Sequence, residues 1–226
     1  MRISLLIFLE IHTVFLRKIA SKYTKSAAQS AYFEILNRLL QKLSGKKEIN
    51  GIYTVEDQMV QTFTGYDDEV VNASIKAINE FAMKFPDKQF SFMLVPTSQE
   101  IFDSKIPQYI GAISEKDFID DTYDKLQGIT PVDCRSYIVQ HSNEYIYYRT
   151  DHHWTSLGAF YAYQSVAITL GYSAYQLNEF NIETVSEDFR GSLYSRTLDD
   201  SITPDLIKAT PRNPLQNRAK RDIIKV

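Results

Sequence analysis

The sequence predicts an α/β domain of layered helices and strands, and three observations carry that prediction. Helical and extended patterns alternate along the chain instead of falling into separate blocks. Residues Phe90 to Pro96 (Phe-Ser-Phe-Met-Leu-Val-Pro) form a nearly continuous apolar run, which suits an interior parallel strand covered on both faces. A cluster of polar and aromatic residues at 149–155 sits directly before a well-formed helical pattern, the kind of strand-to-helix junction where α/β sheets place ligand crevices.

Taken in chain order, residues 1–24 open with Arg2 followed by Ile3, Leu5, Leu6, Ile7, Phe8 and Leu9, the beginning of a secretory apolar region. Glu10, His12, Arg17 and Lys18 interrupt it well before the roughly 20 apolar residues that a membrane helix needs. The segment reads as a degraded export signal or an amphipathic first helix, and it leaves membrane association open. From Lys25 to Leu43, apolar residues recur at helical spacing (Ala28, Ala31, Ile35, Leu39, Leu43), with Ser44-Gly45 as the stop. Ile49 to Tyr53 and Met59 to Phe63 flank the polar stretch Val55-Glu56-Asp57-Gln58 and predict a hairpin. A helix follows from Asp67-Asp68, with Val71, Ile75, Ile78, Ala82 and Phe85 on one stripe and Pro86 ending it.

The apolar strand comes next, then a loop or short helix over Thr97 to Ile110 and a helix over Glu115 to Leu126. Ile129 to Cys134 and Glu144 to Arg149 are two further strands, the latter favoured by its aromatic and branched residues. Thr155 is placed to cap a helix over Ser156 to Leu170, where Phe160, Tyr163, Ala167 and Leu170 share a face and Gly171 supplies the stop. From Pro204 to Val226 the chain turns basic and loses periodicity, which predicts a flexible tail. The domain proper is therefore expected over residues 25–203.

Composition narrows the function classes. A chain of 226 residues with 44% hydrophobic and 23% charged residues is globular and of single-domain size, which excludes disordered and collagen-like classes. Twenty-five Lys+Arg against 28 Asp+Glu give a net charge of -3, so no global positive field exists to hold a nucleic acid. The single cysteine, Cys134, cannot form an internal disulfide or join a cysteine cluster for zinc or an iron–sulfur centre. No cofactor is expected. Fifteen Tyr, 13 Phe and one Trp are an excess of aromatic rings, and tyrosine offers both packing area and a polar edge suited to sugars.

The chemistry concentrates at Arg149-Thr150-Asp151-His152-His153-Trp154-Thr155, which holds two of the four histidines and the only tryptophan. In an extended segment Asp151 and His153 project together while His152 projects oppositely. The Asp151 carboxylate then accepts from the Nδ1–H of His153 and leaves Nε2 as a proton acceptor, the orienter-and-base half of a Ser-His-Asp triad. Two other readings compete. A metal could use Asp151, His152 and His153, against which stands the divergence of neighbouring side chains. Alternatively, these groups only cap and pack a turn, with Trp154 buried.

The stretch Tyr147-Tyr148-Arg149-Thr150-Asp151-His152-His153-Trp154-Thr155, followed by Gly158-Ala159-Phe160-Tyr161-Ala162-Tyr163, resembles the DHHW protein family of Gram-positive bacteria. Gly45 to Tyr53, Val95-Pro96-Thr97, Ile106-Pro107 and Phe189 to Ser195 resemble it as well, so the likeness covers roughly residues 25–200. That family is similar to the SGNH-hydrolase-like domains of alginate O-acetyltransferases. The resemblance implies a three-layer α/β/α fold and acyl or acetyl transfer, or ester hydrolysis, on an extracytoplasmic polysaccharide of the cell envelope through an acyl-serine.

By the same resemblance Asp151 and His153 match the catalytic acid and base, while Tyr148, Arg149, His152 and Trp154 fall at the substrate. The related enzymes carry their serine after the Asp-x-His motif, at the end of an apolar strand, and no such strand follows Gly171 here. Ser98, Ser104 and Ser201 are the nearest substitutes. The expectation is an incomplete domain, truncated at its C-terminus and inactive alone, with a non-catalytic carbohydrate-binding or scaffold module as the alternative.

Overall fold

The computed structural model describes Gly45 and residues 47–209. The segment 1–24, the helix expected from Lys25 to Leu43 and residues 210–226 lie outside the described residues.

The first elements form an antiparallel meander of β1 (Glu48–Ile49), β2 (Ile52–Val55) and β3 (Gln58–Gln61). Asn50 and Gly51 join β1 to β2 with φ of 54° and 73°, the paired left-handed geometry of a two-residue hairpin turn. Val55 and Gln58, expected in the second connection, pair with one another, so the turn contracts to Glu56-Asp57.

Helix α1 (Asp68–Met83) starts where the Asp67 carboxylate accepts the N–H groups of Glu69 (3.0 Å) and Val70 (3.2 Å). Ile75, Asn79 and Ala82 form its buried face. Asn79 donates to the Lys125 carbonyl and accepts the Gln127 N–H, which ties α1 to the turn after the helix Glu115–Asp124 (α3). Between them lie β4 (Phe90–Phe92), the short α2 (Gln99–Phe102) and two 3-10 turns.

β4 pairs in parallel with β5 (Ile129–Pro131), as an α/β crossover requires, but the sheet differs from the expectation. Only three residues of the apolar run are extended, Ser91 and Val95 are exposed, and among the described residues β4 and β5 pair only with each other. Cover on both faces is therefore not present within these residues, and Phe90 and Phe92 are only partly buried.

The third expected strand, Glu144 to Arg149, is not a sheet strand. It folds back on the next segment: Tyr147 and Trp154 form an isolated antiparallel bridge, Tyr148 N–H donates to the His153 carbonyl (3.2 Å) and Thr155 N–H to the Ile146 carbonyl (2.8 Å). The remaining backbone groups go to single distant partners, the Tyr148 and Arg149 carbonyls to Gln58 and Met59 and the Arg149 N–H to Asp205, so no ladder forms. Helix α5 (Ser156–Leu170) has the expected limits, the Thr155 cap and a left-handed Gly171 at its end. Its buried face is Gly158, Tyr161, Ala162, Ser165 and Ala167, turned toward α4 (Arg135–Gln140) and Ile146; Leu170 is exposed, and of the predicted stripe only Ala167 is buried.

β6 (Glu183–Phe189) and β7 (Asp205–Ala209) form an antiparallel pair with α6 (Ser192–Thr197) between them. This corrects the tail expected from Pro204 onward. Residues 205–209 are ordered strand, because β6 takes their backbone and the buried Asp205 carboxylate has protein donors on both oxygens. Two core clusters bracket the motif: Cys134, Ile138, Ile146, Tyr147, Tyr161 and Ala162 on one side, and Ile52, Met59, Leu193 and Ile202 on the other. Burial pushes the Cys134 thiol up to about 11, so it is a packing residue and not a nucleophile at neutral pH.

Candidate active site

The site is a bend of backbone at residues 149–153 held from three directions. From the α5 side, the Thr155 hydroxyl donates to the Tyr145 carbonyl (2.8 Å) and accepts from Gly158 N–H. Gly158 itself is required there, because a Cβ would lie 2.4 Å from the Ile146 carbonyl oxygen. From the β6–α6 junction, Gly191 packs so closely that a Cβ would fall 2.3 Å from Asp151 Cβ. From β7, Asp205 accepts the N–H groups of Arg149 (2.6 Å) and Thr150 (2.9 Å).

Within this clamp Asp151 is buried and His152 and His153 are exposed. Asp151 Oδ1 accepts from the His153 backbone N–H (3.0 Å) and faces His153 Nδ1 at 2.6 Å; Oδ2 accepts the Ser192 N–H at 2.7 Å. Burial pushes the carboxyl upward, but the hydrogen bonds from Ser192 and His153 outweigh it and hold the pKa down at about 2. The Asp151 carboxylate takes the Nδ1 position of His153 and leaves Nε2 directed away from it, on a ring with 65% of its side chain exposed.

His152 does not project away, as an extended segment would require. Because the backbone is bent, its ring lies 3.9 Å from that of His153, with Nδ1 at 2.8 Å from Ser192 Oγ and 3.6 Å from Asp151 Oδ1. Asp151, His152 and His153 thus offer donor atoms within 4.8 Å of one another, where the sequence analysis expected divergence. Both carboxylate oxygens already accept hydrogen bonds, from His153 on Oδ1 and from Ser192 on Oδ2.

The other residues predicted at the site are close by, with differing commitments. Tyr148 packs edge-on against Tyr145 and Phe189, and its carbonyl accepts from Gln58. Arg149 is held by Asp57 (3.0 Å) and lies over the Tyr145 ring. Trp154 is partly buried against the cluster around Ile146 and Tyr161. The serines weighed as nucleophiles do not join the site: Ser98 is buried, Ser104 is exposed in a 3-10 turn, and Ser201 Oγ donates to Asp199. Among the described residues no serine hydroxyl bonds His153.

Thr150, Gly191, Ser192 and Asp205 went unrecognised as site residues in the sequence. Gly191-Ser192 stood within the Phe189 to Ser195 resemblance, and Asp205 stood at the head of a mainly basic tail, ahead of the apolar pair Leu206-Ile207.

The DHHW protein family profile matches residues 23–223. Comparison with curated protein sequences finds no match. Among solved structures, a DHHW family protein from Eubacterium siraeum aligns with a TM-score of 0.64 at 27% identity, covering 74% of this chain and 56% of that one. PatB1 of Bacillus cereus, carrying a sulfonyl adduct, aligns with a TM-score of 0.60 at 18% identity over 74% of this chain and 58% of that one. The O-acetyltransferase domain of Pseudomonas putida AlgJ aligns at 0.55 and 17% identity over 73% and 66%. The chain spans a little over half the length of the first two, and the PatB1 and AlgJ likenesses establish a shared α/β fold. With the profile spanning most of its length, Asp151-His152-His153-Trp154 included, the chain belongs to the DHHW protein family.

Proposed function

We propose that this protein carries the acid–base half of an O-acyltransferase or esterase site that acts on acetylated extracytoplasmic polysaccharide. The observation that supports it most is the Asp151 Oδ1 to His153 Nδ1 contact at 2.6 Å, on a carboxylate held ionised and next to an exposed imidazole. In the reaction, a serine Oγ–H gives its proton to His153 Nε2 as Oγ bonds the acyl carbon. The protonated ring then gives that proton to the departing alkoxide of the ester, and Asp151 stays ionised throughout. The fold shared with the AlgJ O-acetyltransferase domain favours this class. Tyr148, His152 and Trp154 border the acyl acceptor, and Arg149, engaged by Asp57 and Tyr145, shapes that border.

Among the described residues no serine hydroxyl bonds His153, and this reading takes the serine to come from outside the chain, so that the chain by itself is expected to have no turnover. Purified protein is expected to hydrolyse p-nitrophenyl acetate no faster than background, and turnover abolished by His153→Ala would overturn the absence of a nucleophile. A chimera extended with the C-terminal part of the Eubacterium siraeum relative is expected to gain hydrolysis that His153→Ala and Asp151→Ala remove. A folded but inert chimera, with glycan binding by the parent chain that survives both substitutions, would favour the non-catalytic carbohydrate-binding module.

A further inference from the structure

We propose that Asp205 is a positioning residue for the Asp151–His153 pair, acting through the backbone of Arg149 and Thr150; this rests on the acid–base reading of that pair. Asp205 is fully buried, and among the described residues no cation forms an ion pair with it. An unpaired carboxylate in that position is costly unless every lone pair is used, and an apolar residue would be cheaper if only packing were needed. The lone pairs are used, all by donors of one structural unit. Oδ1 takes the Arg149 N–H and the Tyr145 hydroxyl; Oδ2 takes the Thr150 N–H at 2.9 Å and the Thr150 hydroxyl.

The geometry continues from there to the dyad. Having donated to Asp205, the Thr150 hydroxyl accepts the Gly191 N–H at 2.9 Å, and the Thr150 carbonyl accepts the N–H groups of Leu193 and Tyr194. Ser192, between those residues, donates its N–H to Asp151 Oδ2. One carboxylate on β7 therefore sets both sides of the grip on Asp151: the residues that precede it in the chain, and the Gly191-Ser192 turn that closes over it. Only a group that accepts on both atoms can do this. In an Asp205→Asn variant the amide N–H2 replaces an acceptor, and one side of the unit meets donor against donor.

The test uses the full chain with 15N-labelled histidine and reads the His153 ring directly, so it needs neither a serine nor a substrate. In the parent protein His153 is expected as the Nδ1–H tautomer, with a low-field Nδ1 proton from the bond to Asp151. Asp205→Asn is expected to remove that low-field proton and mix the tautomers while the protein remains folded. Ile119→Ala, a core truncation in α3 away from the site, is expected to lower the melting temperature and leave the His153 signature intact. Thr150→Val and Thr150→Ser supply a second arm if Asp205→Asn does not fold: the valine variant loses the signature and the serine variant, which keeps the hydroxyl, retains it. An unchanged signature in folded Asp205→Asn or in Thr150→Val overturns the proposal. Absence of p-nitrophenyl acetate turnover in any chimera bears on the acyl-transfer reading alone.

Discussion

The bend at residues 145–158 and the β4–β5 sheet are built on opposite principles. In the bend, Ile146, Tyr147, Thr150, Asp151 and Thr155 are buried, and glycines sit where any side chain would collide. Its shape is fixed by polar groups that satisfy one another within one small unit. The sheet has three-residue strands and partly buried Phe90 and Phe92, and the α1 side of it carries Phe81, Met83 and Phe85 at 55%, 61% and 47% exposure. The difference teaches that the geometry of the Asp151–His153 pair does not depend on how many strands the sheet has. It is specified by hydrogen-bond closure, while the sheet region joins a partly exposed apolar face to a buried one formed by Ile75, Ala82, Ile129 and Val132.

The contrast breaks most sharply at Gly191. A Cβ there would lie 2.3 Å from Asp151 Cβ and 2.5 Å from Oδ2, and that side chain is pinned by its hydrogen bonds to His153 and Ser192. Gly191→Val is expected to cost about 3 kcal/mol or more in urea unfolding and to eject Asp151 from its hydrogen bonds. A cost below about 1 kcal/mol would mean that the β6–α6 turn is free to move and that the bend is not a closed unit.

Acid sharpens the comparison at intermediate scale. The Asp151 pKa is lowered from 3.8 to about 2, so its contribution to stability is complete above the ordinary carboxylate value and is lost as pH falls toward 2. Stability measured from pH 5 down to pH 2 is therefore expected to fall more steeply in the parent chain than in Asp151→Asn, whose bend is weaker throughout but lacks that acid-dependent part. Parallel slopes would show that the carboxylate gains nothing from its donors.

What the sequence revealed follows the same division. The limits of α5, its Thr155 cap and Gly171 stop, and the pairing of Asp151 with His153 were legible because each depends on residues within a few positions of one another. The direction of His152 was misjudged because i, i+2 reasoning assumes an extended chain, and the bend at 149–153 is imposed by Asp205 and Gly191, some 40 to 56 residues away. Asp205 was hidden for the same reason: an acidic residue at the head of a basic segment looks solvated until a distant backbone supplies its donors. Glu144 to Arg149 has strand composition, yet its backbone bonds are divided between the segment that follows it, the β3 end at Gln58-Met59 and the Asp205 carboxylate, which composition does not report.

The smallest effect is expected just past the end of α1, at Phe85. The Phe85 ring tilts against Phe81, which in turn meets Phe90 edge-on, so the three rings form a ladder from the helix end to β4. With 47% of Phe85 exposed, its removal forfeits contact with one neighbouring ring and returns little area to water. Phe85→Ser is expected to change the unfolding free energy by about 0.5 kcal/mol or less and to leave the His153 ring signature untouched. A loss near 3 kcal/mol, the scale of emptying a closed core site, would mean that this face is covered in solution. The sheet would then be as closed as the bend, and the contrast between the two regions would disappear.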